Sequence, residues 1–176
     1  MVYKVIQFLA QGEFPSPEKL IELKKQGVTH LLNVSGIDLF QLYSAEKLAD
    51  FTIVQFTFKD VFSTAVAISK EQISSVDSNL YCEQTSDIER AQFFSAVQQL
   101  IDWLKIETPC YVFCHQGIGR SACVVISALI HYYQPEQDCL LKTMKFLNPH
   151  AILSTTSYAA AKWFEQETGF DNTQST

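Results

Sequence analysis

Apolar positions repeat at helical spacing in several stretches of the chain and at strand-like density in others. The longest helical pattern covers 88–105, where Phe94, Val97, Leu100, Ile101 and Leu104 share one face. Ser86 or Asp87 can cap it, and Pro109 stops the chain beyond it. A second helix is predicted from Pro17 to Gly27: Ser16 can cap, Pro17 takes the first helical position, and Leu20, Ile21 and Leu23 supply the apolar face. Nearly every residue from Arg120 to Tyr133 is apolar, so a helix there is buried on most sides. Further helices are predicted from Pro135 to Leu147 and over 155–168.

Strands are expected where short apolar runs lie between these helices: 3–9 (YKVIQFL), 28–34 (VTHLLNV), 51–58 (FTIVQFTF) and 110–113 (CYVF). A loop and short helix join the second to the third. Strands alternating with helices predict an α/β fold, with a central, mostly parallel sheet flanked by helices on both faces. Residues 1–170 are expected to form one domain, followed by a polar tail over 171–176. Residues 59–86 resist assignment. They are rich in Ser, Thr, Asp and Asn with a weak helical pattern near 69–76, which makes 61–86 a candidate insertion or lid.

Composition narrows the function. The 176 residues carry 13 basic and 19 acidic side chains, a net charge of -6, with no basic stripe to neutralise a nucleic acid or an anionic membrane. No apolar run reaches the length of a membrane span, and the N-terminus lacks the pattern of a signal peptide, so a cytoplasmic monomer is the expectation. Five cysteines, odd in number and irregularly spaced, suggest neither a disulfide framework nor a zinc site. Buried reduced thiols are the simplest reading of four of them.

Cys114 is the exception. It opens the stretch CHQGIGRS, which joins the strand 110–113 to the buried helix from Arg120. Ligands of α/β folds collect at the carboxyl ends of strands. A helix N-terminus there offers unpaired N–H groups and a positive dipole end. Gly117 and Gly119 let the backbone from His115 through Gln116 and Ile118 curl into an anion nest. Arg120 suits two oxygens of one phosphate, which a lysine's point charge does not. A cysteine in such surroundings is expected as a thiolate, a nucleophile beneath the bound phosphoryl group.

The segment Cys114–Ser121 resembles the signature loop of the cysteine-based protein phosphatases, most closely their compact dual-specificity branch. The stretch FLAQGEFPSPEKLIELKKQGVTHLLNVSG is similar to that branch's opening strand–helix–strand, and NPHAILSTTSYAAAKWF to its closing turn and helix. The resemblance covers most of 3–168, least of all 61–86. It implies a phosphocysteine formed at Cys114, with the loop N–H groups and Arg120 on the phosphate oxygens and Ser121 stabilising the cysteine as it leaves. It also implies a general acid on an upstream loop, and no metal or cofactor.

Asp60, at the end of the strand 51–58, fits that acid's context but lies 54 residues before Cys114, farther than is usual in compact members; an insertion at 61–86 reconciles this. Asp87 lies nearer but heads a helix, where Asp is a routine cap. Asp77 is the third candidate, as a lid residue. Two positions depart from the family: Phe113 stands where His usually precedes the cysteine, and Leu153 where Gln often places the attacking water. Ser154 and Ser157 are read first as helix caps, Arg90 as a surface ion-pair residue, and Tyr132, Tyr133, Trp163 and Phe164 as core.

The function expected is hydrolysis of phosphotyrosine, and of phosphoserine or phosphothreonine, in proteins. The alternatives are a phosphoprotein-binding module without turnover and a phosphatase for a small phosphomonoester. Relatives directed at phosphoinositides tend to carry lysines where this loop has His115 and Gln116, which counts against a lipid substrate.

Overall fold

In the computed structural model, residues 2–63, 68 and 70–169 are described. Four strands, β1 (Leu9–Gly12), β2 (His30–Asn33), β3 (Thr52–Gln55) and β4 (Cys110–Phe113), form one all-parallel sheet in the order β1-β4-β2-β3. The register sets Gly12 and Asn33 beside Phe113 on either side, so the segment leaving β4 emerges between two neighbours.

Parallel strands covered on both faces alternate their burial between two layers. Cys110 and Val112 of β4 point into a large apolar cluster, and Tyr111 and Phe113 into a smaller one. The smaller cluster is closed by α2 (Pro17–Lys25), α3 (Leu39–Leu42) and α4 (Ala45–Leu48) through Leu20, Leu23, Leu39 and Leu48. The larger lies under α7 (Asp87–Lys105), α8 (Arg120–Tyr133), α9 (Gln137–Leu147) and α10 (Thr155–Glu167). Of the remaining helices, α1 (Val2–Val5) and α6 (Asn79–Gln84) each add a residue to that layer, Val5 and Tyr81, while α5 (Lys70–Ile73) packs Ile73 against it. No helix among the described residues is long and apolar enough to cross a membrane.

The caps read from sequence are formed. Ser16 accepts from the Lys19 N–H, Ser86 closes a capping box with Glu89, and Ser154 closes one with Ser157.

Three expectations are corrected. Residues 3–9 are not the first strand: the chain makes the short α1 there and enters the sheet only at Leu9. The apolar Val5 and Phe8 are buried in the helical layer, which accounts for the strand-like pattern. Tyr132 is 38% exposed and is not core. Arg90 is more than a surface ion-pair residue: it pairs with Asp87 and donates to the carbonyls of Cys82 and Thr85, tying the end of α6 to the start of α7. Within 61–86, Phe62 and Tyr81 are fully buried and stack on each other at 6.0 Å between ring centroids. Residues 64–67 and 69 of that segment, and the tail 171–176, lie outside the described residues.

Burial raises the Cys110 thiol to about 12 and pushes Cys123, Tyr81 and Tyr111 upward as well. In the unfolded chain such groups ionise from about pH 9 upward, so the unfolded state there binds fewer protons and stability falls as pH rises. Each group contributes up to about 1.4 kcal/mol per pH unit between its unfolded and folded values. Urea unfolding followed by circular dichroism is expected to show a midpoint that drops steadily above about pH 9. A midpoint that is flat through pH 11 would contradict the burial of these groups.

Candidate active site

The segment between β4 and α8 is held from outside by its carbonyl groups. Phe14 N–H donates to the His115 carbonyl at 3.3 Å, and Ile152 N–H to the Ile118 carbonyl at 2.8 Å. The Gly117 carbonyl accepts from the side-chain amides of Gln11 at 2.6 Å and Asn148 at 2.9 Å. A planar trans peptide directs its N–H opposite to its C=O. Carbonyls tied to β1 and to the turn before α10 therefore turn the N–H groups of Gln116, Ile118 and Gly119 the other way, toward the loop's interior. Among the described residues, no N–H from His115 through Gly119 donates to a protein acceptor. Five successive donors without an acceptor among the described residues thus lead into a 14-residue helix, an arrangement suited to an anion.

Two glycines make this path possible. Gly117 has φ +73°, and a Cβ there would lie 2.4 Å from the Gly12 carbonyl carbon and 2.5 Å from the Glu13 nitrogen. Gly119 precedes the helix, and a Cβ there would lie 2.8 Å from Asp60 Oδ1.

Cys114 lies at the foot of the loop, 1% exposed, and accepts a hydrogen bond at 3.3 Å from the hydroxyl of the fully buried Ser121. Arg120, the first residue of α8, donates through Nη1 to the Ser35 carbonyl at 2.7 Å. Its Nε is buried and meets no hydrogen-bond acceptor among the described residues; Asp60 Oδ2 stands 3.9 Å away. Asp60 follows β3 and is held by its other oxygen, which accepts from the Phe62 and Ser63 N–H groups at 3.1 Å each. The guanidinium is thus fixed at one end and has a donor to spare at the other.

Cys114, Arg120, Ser121, the loop 115–119 and Asp60 are therefore brought together. The other two acid candidates are not. Asp87 is 96% exposed and pairs with Arg90, and Asp77 accepts from the Asn79 N–H at the start of α6. His115 and Gln116 are exposed at the rim. Ser154 and Ser157 cap α10, and Leu153 packs against the core.

Phe113, where a hydrogen-bonding residue was expected, is fully buried and makes an edge contact with Phe14 at 5.5 Å and a stack with Tyr111 at 5.6 Å. The loop's foot is fixed by packing on the α2 side of the sheet rather than by a polar contact.

Two supporting residues were missed in the sequence. Gln11, in an edge strand, and Asn148, in the Asn-Pro read only as a helix stop, both reach Gly117 from more than 30 residues away. A polar residue inside an otherwise apolar strand is the one hint that Gln11 offered.

No protein-family model matches the sequence, and no curated protein matches it. Solved structures do resemble it. PTPMT1 in complex with PI(5)P superposes with a TM-score of 0.64 at 13% identity, covering 94% of this chain and 95% of that one. Human DUSP28 gives 0.59 at 16% identity over 92% and 90%. The human tyrosine phosphatase-like serine/threonine/tyrosine-interacting protein gives 0.59 at 17% over 93% and 95%. The chain has the fold of the tyrosine and dual-specificity phosphatases.

Proposed function

We propose that the chain is a metal-independent phosphatase that hydrolyses phosphotyrosine in proteins, and phosphoserine and phosphothreonine as well, through a phosphocysteine. The observation that carries this reading is that the loop opened by Cys114 holds five successive backbone N–H groups with no acceptor among the described residues, three of them turned to its interior, beside a buried guanidinium nitrogen that also has none there. A buried donor such as Arg120 Nε is costly to leave unpaired unless a ligand satisfies it. A tetrahedral dianion is the ligand with enough oxygens to do so.

In the first step the Cys114 thiolate attacks phosphorus, and the bond to the leaving oxygen breaks as Asp60 delivers a proton to it. Loop N–H groups and Arg120 hold the equatorial oxygens as charge builds on them. In the second, water attacks the phosphocysteine and Asp60 takes its proton. The sulfur leaves as thiolate, and inorganic phosphate is released.

A protein substrate is favoured over a phosphoinositide by the groove beside the loop, about 800 Å³, which Gln116 borders. Glu13, Glu18 and Glu22 line it against Lys19 and His150. That balance of charge opposes a headgroup with several phosphates.

The test is hydrolysis of para-nitrophenyl phosphate and of a phosphotyrosine peptide in the presence of a chelator. Turnover of both is expected. Peptide binding without turnover would establish the phosphoprotein-binding module instead, and turnover of PI(5)P alone a lipid phosphatase.

The acid has its own signature. Asp60→Asn keeps an oxygen to accept from the Phe62 and Ser63 amides, so the loop stays in place. Turnover of the phosphotyrosine peptide is expected to fall by about 100-fold. The loss should be much smaller with para-nitrophenyl phosphate, whose leaving group departs without a proton. Equal losses on both substrates, or none, would remove Asp60 from this role.

A further inference from the structure

Gln11 is 5% exposed, sits in edge strand β1 and turns its amide nitrogen to the loop and to the first turn of α8. Its Nε2 donates one hydrogen to the Gly117 carbonyl at 2.6 Å and the other to the Ser121 hydroxyl oxygen at 2.7 Å. Its Oε1 is buried without a partner among the described residues.

The orientation of this amide is fixed by its neighbours. A backbone carbonyl can only accept, so the nitrogen must face Gly117. Ser121 then receives a hydrogen from Gln11 and has a single hydrogen of its own to give. That hydrogen goes to Cys114 Sγ, 3.3 Å away. The chain of bonds therefore has one polarity, from Gln11 through Ser121 to the sulfur. Packing does not account for an amide at this position, because an apolar side chain of the same length would fill the space without burying an unpaired oxygen.

We propose that Gln11 is a positioning residue for the second half-reaction: it orients the Ser121 hydroxyl as an obligatory donor to the sulfur of Cys114. When water attacks the phosphocysteine, the P–S bond breaks and its electron pair stays on sulfur. The proton from water goes to Asp60, and the Ser121 O–H stabilises the thiolate that forms. Without Gln11 the hydroxyl is free to turn its hydrogen to another acceptor, and the sulfur becomes a poorer leaving group. Formation of the phosphocysteine depends far less on this bond.

The proposal rests on the phosphatase reading, and the two fail differently. Gln11→Met keeps the length and removes both donors. With para-nitrophenyl phosphate in stopped flow, kcat is expected to fall about 10-fold with KM falling in step, so that kcat/KM stays within about twofold of wild type. Nitrophenolate should appear in a burst larger than the wild-type one. Ser121→Ala should show the same pattern, and Gln11→Met/Ser121→Ala should be no slower than Ser121→Ala alone. A parallel loss of kcat and kcat/KM without a burst, no change at all, or losses that multiply in the double variant would overturn the proposal, the first and last leaving Gln11 only as a support of the loop through Gly117. Should Gln11→Met not fold, the same burst and double-variant comparison on Gln11→Glu, which keeps the shape, decides the matter. Absence of wild-type turnover removes the phosphatase reading and this one with it; wild-type turnover with an unaltered Gln11 variant removes this one alone.

Discussion

Replacing Cys114 by serine is expected to reduce turnover of para-nitrophenyl phosphate at least about 10⁴-fold while leaving the fold and the affinity for a phosphotyrosine peptide nearly unchanged. The size follows from the chemistry. An alcohol at this position is far from ionised, and among the described residues the side chain that hydrogen-bonds to Cys114 is the Ser121 hydroxyl, which is not a base. Every other group proposed to hold phosphate stays where it is: the N–H groups of 115–119 and Arg120 owe nothing to the sulfur. Oxygen for sulfur is a small contraction at a site that is 1% exposed, and the Ser121 hydroxyl can still donate to it. Calorimetry with the peptide and a steady-state assay on one preparation check both halves. Residual activity above about a hundredth of wild type would mean that Cys114 is not the nucleophile.

Gly117→Ala is expected to cost about 3 kcal/mol of stability and nearly all activity, because two penalties add. The left-handed backbone at φ +73° disfavours any side chain, and the new Cβ would meet the backbone of Gly12 and Glu13 at 2.4–2.6 Å, where no flexible side chain can move aside. Gly27→Ala separates the two effects. Its φ is +81° but nothing lies within 4 Å of a Cβ there, so only the backbone penalty of about 1 kcal/mol remains, with activity unaltered. Urea midpoints and para-nitrophenyl phosphate rates for both variants test this. Similar losses at both glycines would show that the contact with β1 is unimportant.

Much of this architecture is legible in the sequence, and the reasons are local. Ser16, Ser86 and Ser154 mark helix starts because capping involves residues three apart. The run after Arg120 reads as a buried helix because almost every side chain in it is apolar. The loop reads as an anion site because its cysteine, glycines and arginine all fall within 114–120. What escaped depends on distant partners. Val5 and Phe8 look like strand residues until a helical layer is placed over them. Gln11 is unremarkable until its partners 106 and 110 residues away come within reach. Asp60 could be separated from Asp77 and Asp87 only by its position beside Gly119 and Arg120, since all three stand in plausible local settings.

The burial of Phe62 has a kinetic consequence for the proposed acid. Its ring, stacked on Tyr81 and 6.2 Å from Phe93, pins the chain two residues after Asp60 into the main core. A carboxyl group carried on such a pinned turn has its ordering entropy lost once, during folding, and not again at every catalytic cycle. If Asp60 is the acid, turnover is expected to be insensitive to solvent viscosity, as it would not be for an enzyme that must close a flap over each substrate. Loosening the pin, with Phe62→Ala for instance, would convert a rigid acid into a mobile one and make the rate track viscosity.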